Sequence, residues 1–232
     1  MFDRRGAFSR RRFGELAAGS ILVALGGCTY SVAPTAEQEA AAKSLRSDGR
    51  VRLPPGQSLI RALRAMGGAP GDPNPANFRL KVHGEVRKEL DIDFKELLAM
   101  PQVDQVCDVH CVTKWTLFDS RWRGVRLSHI ADLAGVKDSA RHIIFEAAEG
   151  YTANILLSEG LAPNVLIAHL HNDEPLAEEN GTPVRSLVPD LYFWKSSKWL
   201  TGIRFSKEDE PGFWETRGYN NHADPWFEER YA

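Results

Sequence analysis

The stretch CDVHCVTKWTLFDSRWRGV, residues 107–125, holds two cysteines, a histidine and two tryptophans within nineteen positions. The stretch begins inside residues 103–109, whose valine spacing predicts a strand. This strand runs directly into Cys111. The predicted strand would hold the Cys111 thiol in a fixed position, and the question is which chemical role this thiol has. Four roles are open: a disulfide with Cys107, a zinc ligand, a nucleophile, or a thiolate ligand of a redox metal.

A disulfide between Cys107 and Cys111 suits an oxidising compartment but not an extended strand. Four strand residues span about 13 Å at roughly 3.3 Å per residue. A disulfide requires Cα atoms no more than about 7 Å apart. The predicted strand therefore argues against this pairing.

The three remaining roles differ in the partners that they need. Zinc requires four ligands, and Cys107, His110 and Cys111 offer three, while His169 and His171 are spaced as alternate strand positions. A nucleophilic thiolate needs a histidine, but His110 points to the opposite strand face from Cys111. One protein thiolate suffices for a redox metal when a cofactor brings the other sulfurs. The residues alone do not choose among these roles.

Short elements flank this stretch on both sides. Asp93, three residues before Glu96, predicts a capped helix that Pro101 ends, and Gly135 closes a second predicted helix over 127–133. Residues 58–66 predict a third short helix. The predicted strands cover 78–82, 142–147, 165–170 and 184–188. Short strands with scattered short helices indicate an α+β domain with a mixed sheet and no βαβ repeat.

The N-terminus has the pattern of a bacterial export signal. The motif residues are Ser9, Arg10, Arg11 and Phe13, which fit the twin-arginine pattern. The 12 uncharged residues over 16–27 are fewer than the roughly 20 that a membrane-spanning helix needs. We therefore expect residues 1–27 to be a signal segment that delivers the chain to the periplasm.

Cys28 follows Leu25-Gly26-Gly27, which resembles a lipobox, so a lipid on Cys28 is expected to anchor the protein to a membrane. The alternative is a signal peptide that happens to contain a cysteine. Residues 28–52 predict a linker, because 29–56 are rich in Ala, Ser, Pro and charge without an apolar period. Residues 53–232 are then the folded domain, with a short Gly/Pro loop over 67–77.

Charge sets a limit on the partners. Without residues 1–27 the chain has 24 basic and 29 acidic residues. This balance gives no indication of nucleic-acid binding, and we predict none. Six tryptophans and 43% hydrophobic residues are enough for a sizeable core.

Five motifs in order resemble the sulfite-oxidase-like molybdopterin oxidoreductases, including the catalytic subunit of periplasmic methionine-sulfoxide reductases. They are FRLKVHGEV (78–86), HCVTKW (110–115), NDEPL (172–176), NGTPVRSLVP (180–189) and YFWKSSKWLTGI (192–203). The closing PGFWETRGYNNHADPW (211–226) is similar to the small bacterial single-domain branch. The resemblance covers about residues 53–232.

The resemblance implies a molybdenum-molybdopterin cofactor, with Cys111 as the thiolate ligand of the metal. It also implies that Asn180, Arg185 and the segment Ser196-Ser197-Lys198 bind the pterin, with Arg185 and Lys198 on its phosphate. Tyr151 matches the active-site tyrosine of sulfite oxidases. Tyr151 and Lys195 are the residues expected to orient the substrate oxygen.

The implied activity is a two-electron oxygen-atom transfer, with reduction of a small-molecule sulfoxide or similar oxyanion favoured and sulfite oxidation as the alternative. Sulfite oxidases carry an arginine-bearing segment after the ligand cysteine, where this chain has Val112-Thr113-Lys114, and tend to have arginine at the place of Lys195. The sulfoxide-reductase branch typically has an acidic residue where Thr113 stands. The alternative outside the enzymes is a binding or scaffold lipoprotein that has no cofactor.

Electrons are expected to come from an external partner, such as a membrane quinol-linked subunit, because the sequence has no Cys-x-x-Cys-His haem motif. The chain also lacks the dimerisation domain of larger sulfite oxidases, which predicts a monomer.

Overall fold

The computed structural model describes residues 34–232, which form two β-sheets and a few short helices. In chain order the elements are α1 (Ala36–Ala42), β1 (Ser58–Ile60), β2 (Arg79–Gly84), β3 (Leu90–Asp93), α2 (Phe94–Ala99), β4 (Gln102–Cys111), β5 (Trp115–Arg126), α3 (Leu127–Ala134), β6 (His142–Ala147), β7 (Thr152–Leu156), α4 (Leu157–Gly160), β8 (Leu166–His171), β9 (Glu174–Pro175), β10 (Arg185–Leu187) and β11 (Leu200–Ser206). The α+β class with mixed sheets is confirmed. Within residues 34–232, no helix is long and apolar enough to cross a membrane.

The twin-arginine motif, the apolar run and Cys28 all lie outside the described residues. The predictions made for them remain predictions.

The first sheet has six strands and carries Cys111. Its order is β1-β5-β8-β10, with β4 pairing on β5 and β9 on β8. Strands β4 and β5 form a long antiparallel hairpin in which Cys111 lies opposite Trp115, while β1 pairs in parallel with the start of β5. The hairpin thus ends in a three-residue turn immediately after the cysteine.

The second sheet has five strands in the order β3-β2-β11-β6-β7. Strands β2 and β11 are parallel, and the other neighbours are antiparallel. The alternation predicted in β2 is present, because Leu80 and Val82 are buried and their neighbours Arg79 and Lys81 are exposed.

Two helices end as their sequences predict. At α2 the carboxylate of Asp93 accepts from the backbone N–H of Glu96, and the carboxylate of Glu96 accepts from the backbone N–H of Asp93. Helix α3 ends at Gly135, whose φ of +64° lies in the left-handed region that glycine adopts without strain.

The predicted helix over 58–66 is wrong. Ser58–Ile60 is a strand, and the N–H of Ser58 donates to the carbonyl of Lys114 at 2.9 Å. Pairing with the edge of β5 overrides the local helical pattern, because the strand supplies partners for backbone groups that a short helix would leave unpaired.

Part of the predicted linker packs on the folded domain. The guanidinium of Arg52 donates to both carboxylate oxygens of Asp108 at 2.7 Å. Arg50 lies 4.0 Å above the ring of Trp226, and the indole N–H of Trp226 donates to the carbonyl of Val51 at 2.7 Å. The domain start near residue 53 remains a prediction, and residues 50–52 already belong to this contact.

The buried apolar side chains form two clusters. One fills the space against the second sheet and α3 and includes Leu80, Ile130 and Phe145. The other lies on the first sheet and includes Cys111 and Trp122. The thiol therefore stands at the edge of a packed core.

Candidate active site

A cavity of about 600 Å³ opens beside the end of β4. Its walls come from the 64–69 loop, the end of β4, the 148–151 turn, the 180–199 segment and the C-terminal stretch 213–219. Six predicted site residues line it: Cys111, Tyr151, Asn180, Arg185, Ser196 and Lys198. The structure thus brings together side chains that are up to 87 positions apart in the sequence. Lys195 and Ser197 lie outside its lining.

Cys111 is a buried thiol at the last position of β4. The hydroxyl of Thr113 donates to its Sγ at 3.2 Å. Burial raises the pKa of Cys111, and the bond from Thr113 acts in the opposite direction. The following turn passes through Lys114 at a φ of +68°, which folds the chain back into β5. Cys107 and Cys111 are both free thiols, so no disulfide joins them.

The surroundings of Cys111 do not support zinc or a histidine-activated nucleophile. His110 points away from the cavity, with its Nδ1 2.9 Å from the hydroxyl of Thr116 and its ring against Trp226. Within residues 34–232 there is no group of three or more His, Cys, Asp and Glu side chains that could hold a metal ion. Of the four roles, a single thiolate ligand beside a cofactor fits this geometry.

Arg185 is a buried cation that has no anionic partner among residues 34–232. It is 1% exposed, and its guanidinium donates to the carbonyls of Asn180 at 3.0 Å, Ser196 at 2.8 Å and Ser186 at 3.3 Å. Among the described residues no carboxylate pairs with it. Burial lowers the pKa of Arg185 to about 9, so it still carries its charge at neutral pH. A buried charge of this kind favours an anionic ligand.

Lys198 adds a second positive charge to the same wall. Its Nζ donates to the carbonyl of Glu179 at 2.9 Å and to that of Gly67. Burial, together with the charge of Arg185, lowers the pKa of Lys198 to about 8. Gly181 has a φ of +101°, and a Cβ there would come within 2.8 Å of the Lys198 side chain. The Asn-Gly pair therefore lets the 180–181 turn approach this lysine closely.

The two serines before Lys198 differ in what they contact. The hydroxyl of Ser196 accepts from the N–H of Val188 at 2.9 Å, and Ser196 lines the cavity. The N–H of Ser197 donates to the hydroxyl of Ser186 at 2.7 Å. The Ser197 hydroxyl is buried and has no hydrogen-bond partner in the described part of the chain. These bonds fix the 196–198 segment against β10.

Lys195 lies behind the cavity wall. Its Nζ donates to both the carbonyl and the side-chain oxygen of Asn154 at 2.8 Å and to the carbonyl of Asn221 at 2.7 Å. It also forms a 2.5 Å ion pair with Glu215. With all its donors engaged, Lys195 has no N–H group left for a substrate in this geometry, and its predicted role stays a prediction.

Tyr151 and Tyr219 both line the cavity but differ in what their hydroxyls do. The Tyr151 hydroxyl donates to the carbonyl of Trp194 at 2.5 Å, and burial raises its pKa. The Tyr219 hydroxyl makes no hydrogen bond within residues 34–232. Burial raises the pKa of Tyr219, and Tyr231 and Cys111 act in the same direction. Tyr219 is therefore a neutral donor close to Cys111.

Aromatic rings surround Tyr219. Its ring centroid lies 5.1 Å from that of Trp194 and 4.9 Å from that of Trp214. Two side chains outside the lining bind carbonyls at the end of β4, because Gln57 donates to that of Cys111 at 3.1 Å and Arg230 to that of Val112 at 2.6 Å.

Sequence reasoning missed Tyr219, Gln57 and Arg230. Tyr219 lies in the quoted closing motif, so its position among the tryptophans of that motif was the available signal. Gln57 and Arg230 had none, because they act on backbone carbonyls that any residue carries.

Comparison with known proteins gives a consistent result. Residues 66–214 match the family described as oxidoreductase molybdopterin binding domain. An uncharacterized oxidoreductase of Bacillus subtilis, YuiH, is 42% identical over 82% of this chain and 97% of its own length.

More distant relatives have named activities. A putative protein-methionine-sulfoxide reductase subunit of Azospira oryzae, YedZ1, is 30% identical over 66% of this chain and 56% of that protein. The mitochondrial sulfite oxidase of Drosophila melanogaster is 29% identical over 65% of this chain and 31% of that protein. The chain thus spans about half or less of these two relatives.

A solved structure has the same fold. The sulfane dehydrogenase SoxCD of Paracoccus pantotrophus superposes with a TM-score of 0.60, at 18% identity, over 90% of this chain and 63% of that chain.

Proposed function

The chain belongs to the oxidoreductase molybdopterin-binding domain family, and we propose that it reduces a small sulfoxide by two-electron oxygen-atom transfer. It is a molybdopterin-dependent oxidoreductase, and its cofactor is molybdenum-molybdopterin. The single observation that carries the proposed reaction is that the side chains packed with Cys111 and Tyr219 include several aromatic rings, with Trp194 and Trp214 in ring contact with Tyr219.

The residues of the cavity fit this cofactor. Arg185 is a buried guanidinium that no carboxylate of the described residues neutralises, as expected of a residue that binds a phosphate. Cys111 is a free thiol that lines the same cavity. We therefore propose that Cys111 ligates molybdenum, that Arg185 and Lys198 hold the phosphate, and that Asn180 and the 196–198 segment bind the pterin.

When bound, the cofactor supplies the two electrons and accepts the oxygen atom. The protein contributes the position of the substrate and a proton donor. Overall, a sulfoxide, two electrons and two protons give a thioether and water. The Tyr219 hydroxyl, which is neutral and unengaged, is suited to donate to the sulfoxide oxygen as the sulfur–oxygen bond breaks.

The aromatic surroundings favour a neutral substrate. Thioether sulfur makes favourable contacts with aromatic rings, and Trp194 and Trp214 flank Tyr219. Sulfite is an anion and would need a cation in the cavity, whose lining cations are Arg64, Arg185 and Lys198, the last two being proposed to hold the phosphate. Lys195 stands where sulfite oxidases tend to have arginine, but Glu215 neutralises its charge and it lies outside the cavity lining.

We further propose that the protein works in the periplasm, exported by the twin-arginine route and anchored through Cys28. An external protein delivers the electrons, because the cavity holds the one redox site that the family implies. The folded domain is proposed to act as a monomer.

Metal analysis and turnover test the reaction. Protein purified after export should contain molybdenum and pterin in a one-to-one ratio to the chain. It should oxidise a reduced dye with methyl phenyl sulfoxide and show little turnover with sulfite and an oxidised dye. Molybdenum with sulfite turnover alone would support sulfite oxidation. Absence of molybdenum would support the scaffold function.

A further inference from the structure

The turn that carries Cys111 is held by side chains from both ends of the folded chain. We call residues 111–114 the thiol turn. Gln57, which directly precedes β1, donates through Nε2 to the carbonyl of Cys111 at 3.1 Å. Arg230, the third residue from the end of the sequence, donates through Nη1 to the carbonyl of Val112 at 2.6 Å. Each side chain holds one carbonyl of the turn.

Both of these side chains are buried, with 8% of Gln57 and 7% of Arg230 exposed. The carboxylate nearest to Arg230 is that of Glu228 at 3.6 Å, and it is half exposed. The shorter contact of this guanidinium is therefore to a neutral carbonyl. Burying a cation is costly unless its donors are satisfied, so the bond to Val112 is the main compensation for placing Arg230 here.

Further contacts fix the segments that carry Gln57 and Arg230. The N–H of Ser58, next to Gln57, donates to the carbonyl of Lys114 and joins β1 to the far side of the turn. The segment that carries Arg230 is tied to the cavity wall, because Tyr231 forms a β-bridge with Tyr219. Arg230 also lies 4.9 Å from the ring of Tyr192. Neither Gln57 nor Arg230 lines the cavity.

We propose that Arg230 and Gln57 are positioning residues that set the direction of the Cys111 thiolate toward the cofactor. This inference rests on the proposed function. The bond from Gln57 to the carbonyl of Cys111 limits rotation about the ψ torsion of the cysteine, and the bond from Arg230 to the carbonyl of Val112 holds the next peptide group of the turn, so that together they would restrict the direction in which the Cys111 side chain points. Partners of this kind affect a metal site without touching it.

The test compares Arg230→Met and Gln57→Leu with Arg230→Lys, which keeps one donor for the carbonyl of Val112. Arg79→Met is the matched control, since Arg79 is an exposed arginine of β2 paired with Asp91. For each purified protein, molybdenum and pterin content, the electron paramagnetic resonance spectrum of the Mo(V) state, kcat and KM are measured.

We expect Arg230→Met and Gln57→Leu to retain pterin and to show a changed or heterogeneous Mo(V) spectrum. Their kcat should fall by about 10–100-fold with KM unchanged. Arg230→Lys should recover part of both signals, and Arg79→Met should match the wild type. A purely structural role would lower stability and leave the spectrum of the folded, loaded protein unchanged.

The outcomes separate the two proposals. Wild-type protein without molybdenum would overturn the proposed function. Loaded wild-type protein, with wild-type spectra and kcat in both variants, would overturn the positioning role. If Arg230→Met does not fold, Gln57→Leu decides by the same spectrum, because it removes an uncharged side chain and leaves the cation in place.

Discussion

Lys195 and Glu215 form a 2.5 Å ion pair beneath the aromatic wall of the cavity, and both side chains are almost completely buried. Glu215 also accepts from the indole N–H of Trp194 at 2.9 Å. The pair therefore supports a ring of the wall while its charges cancel. This arrangement leaves the wall next to Tyr219 without a net charge from Lys195.

The first prediction concerns this pair. Lys195→Met leaves Glu215 as an uncompensated buried charge, so the free energy of unfolding should fall by about 3–5 kcal/mol. Lys195→Met combined with Glu215→Leu should be less destabilised than the single variant, as measured by urea denaturation. A stable Lys195→Met protein with a raised KM would instead mean that Lys195 reaches the substrate.

Cys111→Ser should fold, retain pterin and lose turnover, because the phosphate is held separately by Arg185 and Lys198. Cys107→Ser is the matched control and should keep most of the activity, since Cys107 is a free thiol that does not line the cavity. Pterin is quantified by fluorescence after release, and activity by dye-coupled reduction of a sulfoxide. Wild-type activity in Cys111→Ser would rule out its role as the metal ligand.

Arg185→Met should lose most of its pterin. The buried guanidinium has no carboxylate partner among residues 34–232, and its methionine variant offers no charge to a phosphate. Arg185→Lys should retain an intermediate amount, since a lysine is a point charge without the planar fork. Arg123→Met, on an exposed face of β5, is the control. Full pterin content in Arg185→Met would place the phosphate elsewhere.

The export signals give a prediction for the cell. Replacing Arg10 and Arg11 with lysine should leave the protein in the cytoplasm, and Cys28→Ala should release the exported domain from the membrane fraction. Fractionation and immunoblotting measure both. An unchanged periplasmic yield of the lysine variant, or equal membrane association of the alanine variant, would contradict the corresponding step.

Local signals predicted the elements that depend on a few neighbouring residues. The capping residues of α2 and the glycine after α3 act within one turn, so their sequence is sufficient. The pattern over 58–66 predicts a helix and not strand β1, because the strand depends on its partner β5, which lies more than 50 positions further along the chain. The residues 58–66 alone contain no information about the strand β5 with which they pair.

The site divides in the same way. The resemblance placed six side chains that do line the cavity, because motif order carries tertiary information that spacing does not. It could not show that Glu215 engages Lys195, or that Arg230 reaches the carbonyl of Val112. Both depend on the path of the C-terminal segment, which no periodicity in the sequence specifies.

The last prediction separates the two tyrosines of the cavity. Tyr219 has an unengaged hydroxyl, a pKa raised by burial and by its neighbours Tyr231 and Cys111, and tryptophans on both sides. Tyr219→Phe removes one donor and little volume, so pterin and molybdenum content should stay at wild-type levels. Sulfoxide turnover should fall by about 100-fold in kcat, the usual effect of losing a donor to the reacting oxygen.

Tyr151→Phe is the matched comparison, because it removes the same atom from the same cavity. Its hydroxyl already donates to the carbonyl of Trp194, so the expected loss is about 1–3 kcal/mol of stability from an unpaired buried acceptor, with a smaller change in kcat. Thermal unfolding and steady-state kinetics of both variants, measured at equal pterin content, distinguish the two roles. If Tyr151→Phe loses turnover while Tyr219→Phe retains it, Tyr151 orients the substrate oxygen, as the sequence resemblance implies, and its bond to Trp194 must break when the substrate binds.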